Sequence, residues 1–167
     1  MTFNFKTQLA VGDAGEKWFI ENYHSPIVQI KAHKADFRRI DDGRVIELKT
    51  DTYSMDKTPN FFIERYSDFA KKSPGGIWQS KAKRVKIFCY FFIKDGVYFE
   101  FDLAALVKEL TPIADEIERK GKFLWIKNTG WVTAGFTYPR EKLKHLFTEH
   151  RITKPSSTGD SGNGDLG

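Results

Sequence analysis

The sequence has one cysteine and no long hydrophobic run, and both shortages exclude whole classes of protein. Cys89 alone can form neither an internal disulfide nor a cysteine-rich zinc site, so we expect a reducing, cytoplasmic environment. The longest apolar run, IFCYFFI, is too short to cross a bilayer, and no membrane association is expected. The first residues also lack a basic segment followed by an apolar one, which predicts that the chain carries no secretory signal.

Several common catalytic motifs are missing as well. The four histidines (His24, His33, His145 and His150) show no metal-ligand spacing, so the sequence predicts no zinc site. No Ser-His-Asp order, glycine-rich phosphate loop or dinucleotide fingerprint occurs. Any phosphate chemistry must therefore depend on a metal ion and on basic side chains.

Composition predicts one globular domain. The chain has 167 residues, of which 40% are hydrophobic and fifteen are Phe, enough for a substantial core. We expect a single domain over residues 1–152 and a flexible Gly/Ser-rich tail over residues 153–167. The net charge is +5. Because the tail holds one Lys and two Asp, the domain carries about +6, a modest surplus that suits a polyanionic partner.

Hydrophobic periodicity predicts an α/β or α+β fold, with a central mixed sheet flanked by helices. Asp13 is the expected cap of the first helix, and Pro112 is expected to interrupt the second helical region. The pattern predicts helices over residues 12–24, 102–122 and 139–150, and strands over residues 26–32, 35–40, 44–50, 60–66, 85–93, 97–103, 122–128 and 130–138.

The segment ADFRRIDDGRVIELKTD, residues 35–51, places charged side chains on a predicted hairpin. With Asp42-Gly43 as a two-residue turn, Asp36 would pair with Lys49 and Arg38 with Glu47. Side chains alternate along strands, so Asp36, Glu47 and Lys49 would share one face, while Phe37, Ile46 and Leu48 would face the core. Two carboxylates and one ammonium group beside each other suit phosphodiester hydrolysis. Carboxylates are hard ligands for Mg²⁺, and a lysine can orient a water or offset developing charge.

An acid, ten intervening residues and then Glu47-Leu48-Lys49 resemble the motif of the PD-(D/E)XK nuclease superfamily, with Ala35 at the nominal proline position. Glu16, on the preceding helix, is similar to the helix-borne acid of the Holliday-junction-resolvase branch. The resemblance extends over about residues 12–93, to small phage-encoded nucleases. It implies a restriction-endonuclease-like core, catalytic Glu16, Asp36, Glu47 and Lys49, and Mg²⁺ or Mn²⁺ held by Asp36, Glu47, the Leu48 carbonyl and Glu16. The alternative for the hairpin is a solvated charged face.

Weaker signals surround this motif. Glu64, on a later strand, is a candidate extra acid, although a surface acid is the more common situation. The segment QSKAKRVK is basic and would contact the phosphate backbone, or would be only a solvated face. The predicted DNA contacts are Arg38, Gln79, Ser80, Lys81, Lys83 and Arg84.

These features predict a metal-dependent deoxyribonuclease acting on DNA. The small size and the helix-borne acid favour a Holliday junction resolvase, which would act on branched DNA as a homodimer inside a bacterial host. An exonuclease or a repair nuclease of the same superfamily is the alternative within the enzyme class. A non-catalytic nucleic-acid-binding protein on the same fold, or a general interaction module, is the alternative outside it.

Overall fold

The computed structural model describes residues 5–30 and 36–152, so Ala35, His33 and the predicted tail lie outside the described residues. Within the described part no helix has both the length and the apolar character that a membrane span requires. The helices are α1 (Phe5–Asn22), α2 (Gly76–Ala82) and α3 (Leu103–Arg119), with one 3₁₀ turn at Arg140–Leu143. The strands are β1 (Ile27–Gln29), β2 (Phe37–Arg39), β3 (Val45–Asp51), β4 (Asn60–Asp68), β5 (Ser73–Pro74), β6 (Ile87–Phe92), β7 (Val97–Asp102), β8 (Leu124–Lys127), β9 (Val132–Pro139) and β10 (Phe147–Arg151).

The main sheet is mixed, as the sequence predicts. Its six strands lie in the order β1-β2-β3-β6-β7-β10. Every neighbouring pair is antiparallel except β3 and β6, which run parallel and are joined by a crossover that contains α2. All six residues of β6 are buried, because this central strand is covered on both faces, and this explains its continuous apolar sequence.

A second sheet of four antiparallel strands, in the order β5-β4-β9-β8, was not predicted. The late strands β8 and β9 do form, but they pair with each other and with β4 instead of extending the main sheet. Pairing between β4 and β9 joins residues more than 60 positions apart. Strand propensity along the chain does not specify so distant a partner.

Two apolar clusters lie on opposite faces of the main sheet. The smaller one packs α1 against the sheet through fully buried Phe19, Phe37 and Ile46. The larger one lies between the two sheets and also receives the apolar face of α3. Tyr90 joins the sheets by hydrogen bonds, since its hydroxyl donates to Asp51 and accepts from the backbone N–H of Phe62.

The predicted helix boundaries need two corrections. Helix α1 begins at Phe5, so Asp13 lies inside the helix and does not cap it. Helix α3 continues through Pro112 as a single helix. Pro112 is exposed, while Leu106, Leu110 and Ala114 are buried on the opposite face. This packing offsets the backbone hydrogen bond that the proline removes.

The predicted helix over residues 139–150 is wrong. This segment forms the 3₁₀ turn and then β10, which pairs antiparallel with β7 along its whole length. Phe147 packs against Phe99 in β7, with ring centroids 4.8 Å apart. Pairing with β10 also satisfies backbone groups of β7 that would otherwise lie unpaired at the sheet edge. A helix over residues 139–150 would leave those β7 groups without this partner.

Candidate functional site

The β2–β3 hairpin differs in register from the prediction. Phe37 pairs with Ile46 and Arg38 pairs with Val45, so the predicted pairs Arg38–Glu47 and Asp36–Lys49 are wrong by two residues. The turn is longer than two residues, because Arg39 and Arg44 close it through a 2.8 Å backbone hydrogen bond. A shift of two residues preserves the side-chain faces.

Faces of the hairpin follow the predicted alternation. Phe37 and Ile46 are fully buried against α1, and Leu48 packs beside them. Glu47 and Lys49 alternate with these residues along β3 and are half-buried on the other face. The charged residues are therefore carried by a hairpin whose apolar side is fixed in the core.

Asp36 and Glu47 form the centre of the candidate site. The Asp36 carboxylate accepts a hydrogen bond from the backbone N–H of Leu48 at 2.7 Å, and this bond fixes it beside β3. The Oε2 atom of Glu47 is buried and has no hydrogen-bond partner among the described residues. A buried carboxylate oxygen without a partner is costly unless a proton or a cation compensates it.

Burial raises the pKa of both carboxyl groups above its usual value. Burial, and then the charge of Asp36, raise the pKa of Glu47 to about 7. Burial also raises the pKa of Asp36, although the hydrogen bond from Leu48 opposes the shift. The positive charge of Lys83 lowers the pKa of both groups. The site therefore favours a bound positive charge.

Two lysines flank these acids. Lys49 lies two residues after Glu47 on the same face of β3, and its Nζ is 5.4 Å from the centroid of the Phe62 ring. Lys83 directly follows α2, and its charge acts on both Asp36 and Glu47. The sequence predicted Lys83 only as a phosphate contact; its proximity to the acids depends on the crossover that returns α2 to the hairpin.

Glu16, on α1, lies near Asp36 but does not form a compact three-carboxylate cluster with Asp36 and Glu47 among the described residues. Its carboxylate accepts a 2.8 Å hydrogen bond from Gln29 on β1. Burial and the charge of Asp36 raise the pKa of Glu16, which shows that the two groups are near each other. Among the described residues, the carboxylate oxygens of Glu16, Asp36 and Glu47 do not all lie within 4.8 Å of one another.

Glu64 packs beside the start of α2. A Cβ atom added at Gly75 would be 2.4 Å from Glu64 Oε1, so this carboxylate occupies the space beside the start of α2. Neither Asp36 nor Glu47 has a pKa that responds to Glu64. Among the described residues, Glu64 belongs to no group of three metal-ligand atoms within 4.8 Å of one another.

The predicted phosphate contacts divide into surface and buried groups. Ser80 is 2% exposed, and its hydroxyl donates to the carbonyl of Gly76. A phosphate cannot reach this hydroxyl in the present conformation. Gln79 and Lys83 are half-buried, whereas Arg38, Lys81 and Arg84 are exposed.

A second polar cluster was missed by the sequence analysis. His24, Glu100 and His150 offer ligand atoms within 4.8 Å of one another, although they come from three distant parts of the chain. The two imidazole rings stack at 4.5 Å with an angle of 1° between them. A metal ion in the plane of one ring lies outside the plane of the other, so we assign this cluster no metal. No spacing rule covers residues so far apart.

Comparisons of the chain with protein-family models and with curated protein sequences find no match. The functional argument depends on the geometry of the hairpin site.

The pKa of Glu47 leads to a prediction for stability in the absence of metal. The folded chain binds the Glu47 proton more tightly than the unfolded chain, whose carboxyl has a pKa near 4.5. This contribution is fully present below about pH 4.5 and is lost as the pH rises through about 7. The free energy of unfolding of Glu47→Gln should therefore exceed that of the wild type by about 2 to 3 kcal/mol at pH 8. At pH 4.5 the two free energies should be about equal.

Urea denaturation in EDTA at both pH values measures this difference. Glu141→Gln, which changes a carboxylate with an 84% exposed side chain, is the matched control and should follow wild type at both. Equal stability of wild type and Glu47→Gln at pH 8 would show that ionising Glu47 costs nothing in the folded state.

Proposed function

We propose that this protein is a metal-dependent nuclease of the PD-(D/E)XK type that hydrolyses phosphodiester bonds in DNA. The observation that carries the proposal is the half-buried Glu47 carboxylate. Its Oε2 atom is buried and has no partner among the described residues, and it lies beside Asp36 with Lys49 on the same strand face. A solvated charged hairpin would leave the Glu47 carboxylate exposed, whereas its Oε2 atom is buried and forms no hydrogen bond within the described residues.

The donor set suits Mg²⁺ or Mn²⁺. Asp36 and Glu47 would hold the ion, and Glu16 and the Leu48 carbonyl are further candidate ligands. When bound, such an ion stabilises negative charge on a phosphate and lowers the pKa of a coordinated water. Lys49 would orient the attacking water and offset charge on the phosphate oxygens.

The surroundings of the site support the same function. Arg38, Lys81 and Arg84 are exposed cations near the hairpin and α2 in the chain, and Lys83 already acts electrostatically on both acids. These side chains would contact the phosphate backbone, so the affinity for DNA should fall steeply with salt. The chain order α1, β1–β3, β4–β5, α2 and a parallel β6 gives a mixed sheet flanked by helices, which is the class of core that the resemblance implies.

The preferred substrate within this class is branched DNA, cut by a homodimer as in a Holliday junction resolvase. The proximity of Glu16 to Asp36 supports this choice, because the resemblance to that branch depends on a helix-borne acid. An exonuclease or repair nuclease would use the same site on ends or nicks. A non-catalytic DNA-binding protein would bind DNA without cutting it.

Cleavage of labelled four-way junction, duplex and single-stranded DNA in Mg²⁺, Mn²⁺ or EDTA tests the proposal. We expect metal-dependent, symmetric nicking of the junction, lost in Glu47→Ala and Lys49→Ala. Cutting of ends or single strands would keep the nuclease and exclude the resolvase. Binding of every DNA without any cutting, unchanged in both variants, would overturn the proposal.

A further inference from the structure

The second sheet carries an exposed aromatic groove at the opposite end of β4 from Phe62. The groove has a volume of about 630 Å³ and is bordered by the end of β4, by β8 and by the turn between β8 and β9. Trp125 is 49% exposed and Trp131 is 43% exposed. Two large aromatic side chains exposed on the lining of one groove indicate a binding surface.

Aromatic packing and hydrogen bonds support the groove. The Trp125 ring meets the edge of the Phe69 ring at a centroid distance of 4.7 Å. The backbone N–H of Phe69 donates to the carbonyl of Val132 at 2.8 Å, and Asn128 donates to Thr133 at 3.0 Å across the β8–β9 turn. The Trp125 ring is thus held by packing, and backbone hydrogen bonds define the turn that carries Trp131. Such preorganisation reduces the entropy lost on binding.

The charge around the groove is positive. No Asp or Glu occurs between Arg119 and Glu141, a segment that includes Lys122 and Lys127. Lys71 lines the groove with its side chain 80% exposed and forms an ion pair with Asp68, with 3.7 Å between Nζ and Oδ2. Lys127 therefore supplies the net positive charge of the groove lining. Exposed indole rings bordered by lysines complement a chain that alternates flat bases with phosphates.

We propose that this groove binds single-stranded DNA by stacking bases on Trp125 and Trp131 while Lys71 and Lys127 contact phosphates. The choice of DNA rests on the proposed nuclease function. Bases within a duplex are already stacked on each other and cannot cover the indole faces, so the groove selects unpaired segments. The substrate would then be DNA with a single-stranded arm or an opened branch.

Fluorescence anisotropy with a labelled oligothymidylate in EDTA tests the groove without requiring cleavage. Trp125→Ala and Trp131→Ala should each weaken single-strand binding by about 5- to 100-fold, with little change for duplex DNA. Lys127→Ala should reduce the salt dependence of single-strand binding. Tyr53→Ala, which removes another exposed aromatic ring (57% exposed), is the matched control and should bind as wild type.

A second measurement guards against misfolded variants. The oligonucleotide should quench the tryptophan fluorescence of the wild type, and a Trp125→Phe, Trp131→Phe double variant should lose most of the quenching while unfolding at the wild-type temperature. Unchanged single-strand affinity in both alanine variants would overturn the inference. The inference would also be overturned if the wild type self-associates and an alanine variant loses this self-association but keeps its DNA affinity. The groove would then bind a second copy of the chain.

These outcomes separate the groove from the nuclease site. Wild-type cleavage together with unchanged binding by the tryptophan variants would reject the groove alone. Tryptophan-dependent binding without any cleavage would reject the nuclease function alone.

Discussion

Replacing Glu47 with glutamine is expected to reduce metal-dependent cleavage by about 100-fold or more. The substitution keeps the size of the side chain but removes the negative charge that would hold a divalent cation. The oxygen that has no hydrogen-bond partner in this structure belongs to this side chain. DNA affinity in EDTA should be unchanged, because the proposed backbone contacts come from other residues.

Metal binding can be measured separately from cleavage by thermal unfolding. Mg²⁺ or Mn²⁺ should raise the unfolding temperature of the wild type, since a ligand of the folded state alone stabilises it. The rise should disappear in Glu47→Gln and persist in Lys49→Ala, because Lys49 is assigned to the water and the phosphate. Glu141→Gln should keep both cleavage and the temperature rise. Full cleavage by Glu47→Gln would exclude Glu47 as a metal ligand.

The Phe61→Ala substitution should cause the largest loss of stability, about 3 to 5 kcal/mol. Phe61 is 1% exposed on β4 and projects into the cluster between the two sheets. Its ring lies 4.8 Å from that of Tyr90 and 5.1 Å from that of Phe99. Removing it would leave a cavity among aromatic rings that cannot collapse without moving a sheet.

Urea denaturation at neutral pH measures this loss, with Tyr53→Ala as a control expected to change stability by less than about 1 kcal/mol. A loss below about 1 kcal/mol for Phe61→Ala would show that the two sheets are not held together through this cluster. At a low temperature, where the variant remains folded, its cleavage should resemble that of the wild type, since Phe61 is not one of the proposed site residues.

The hairpin shows what could be predicted from the sequence. Alternation along residues 35–51 predicted correctly that Phe37 and Ile46 are buried, because alternation in a strand depends only on the local backbone. The register could not be predicted, because it depends on how many residues the turn uses. Its two-residue error left the faces intact, so the grouping of Asp36, Glu47 and Lys49 on one face did not depend on it.

The segment from Pro139 to His150 shows the limit of local pattern. Its spacing of apolar residues suggested a helix, yet β10 forms there because β7 offers a partner and Phe147 packs against Phe99. The groove of Trp125 and Trp131 is a similar case, since its wall includes Phe69, which lies in the turn after β4 and is far from both tryptophans in the sequence.

The sequence alone determined the composition of the core, the buried strand β6 and the charged hairpin that carries the candidate acids, because each depends on residues close together in the chain. The tertiary structure decided that Glu16 and Lys83 approach those acids, that β8 and β9 form a second sheet, and that an aromatic groove opens beside them. These features depend on contacts between distant segments, whose free energies are settled only when the whole chain packs.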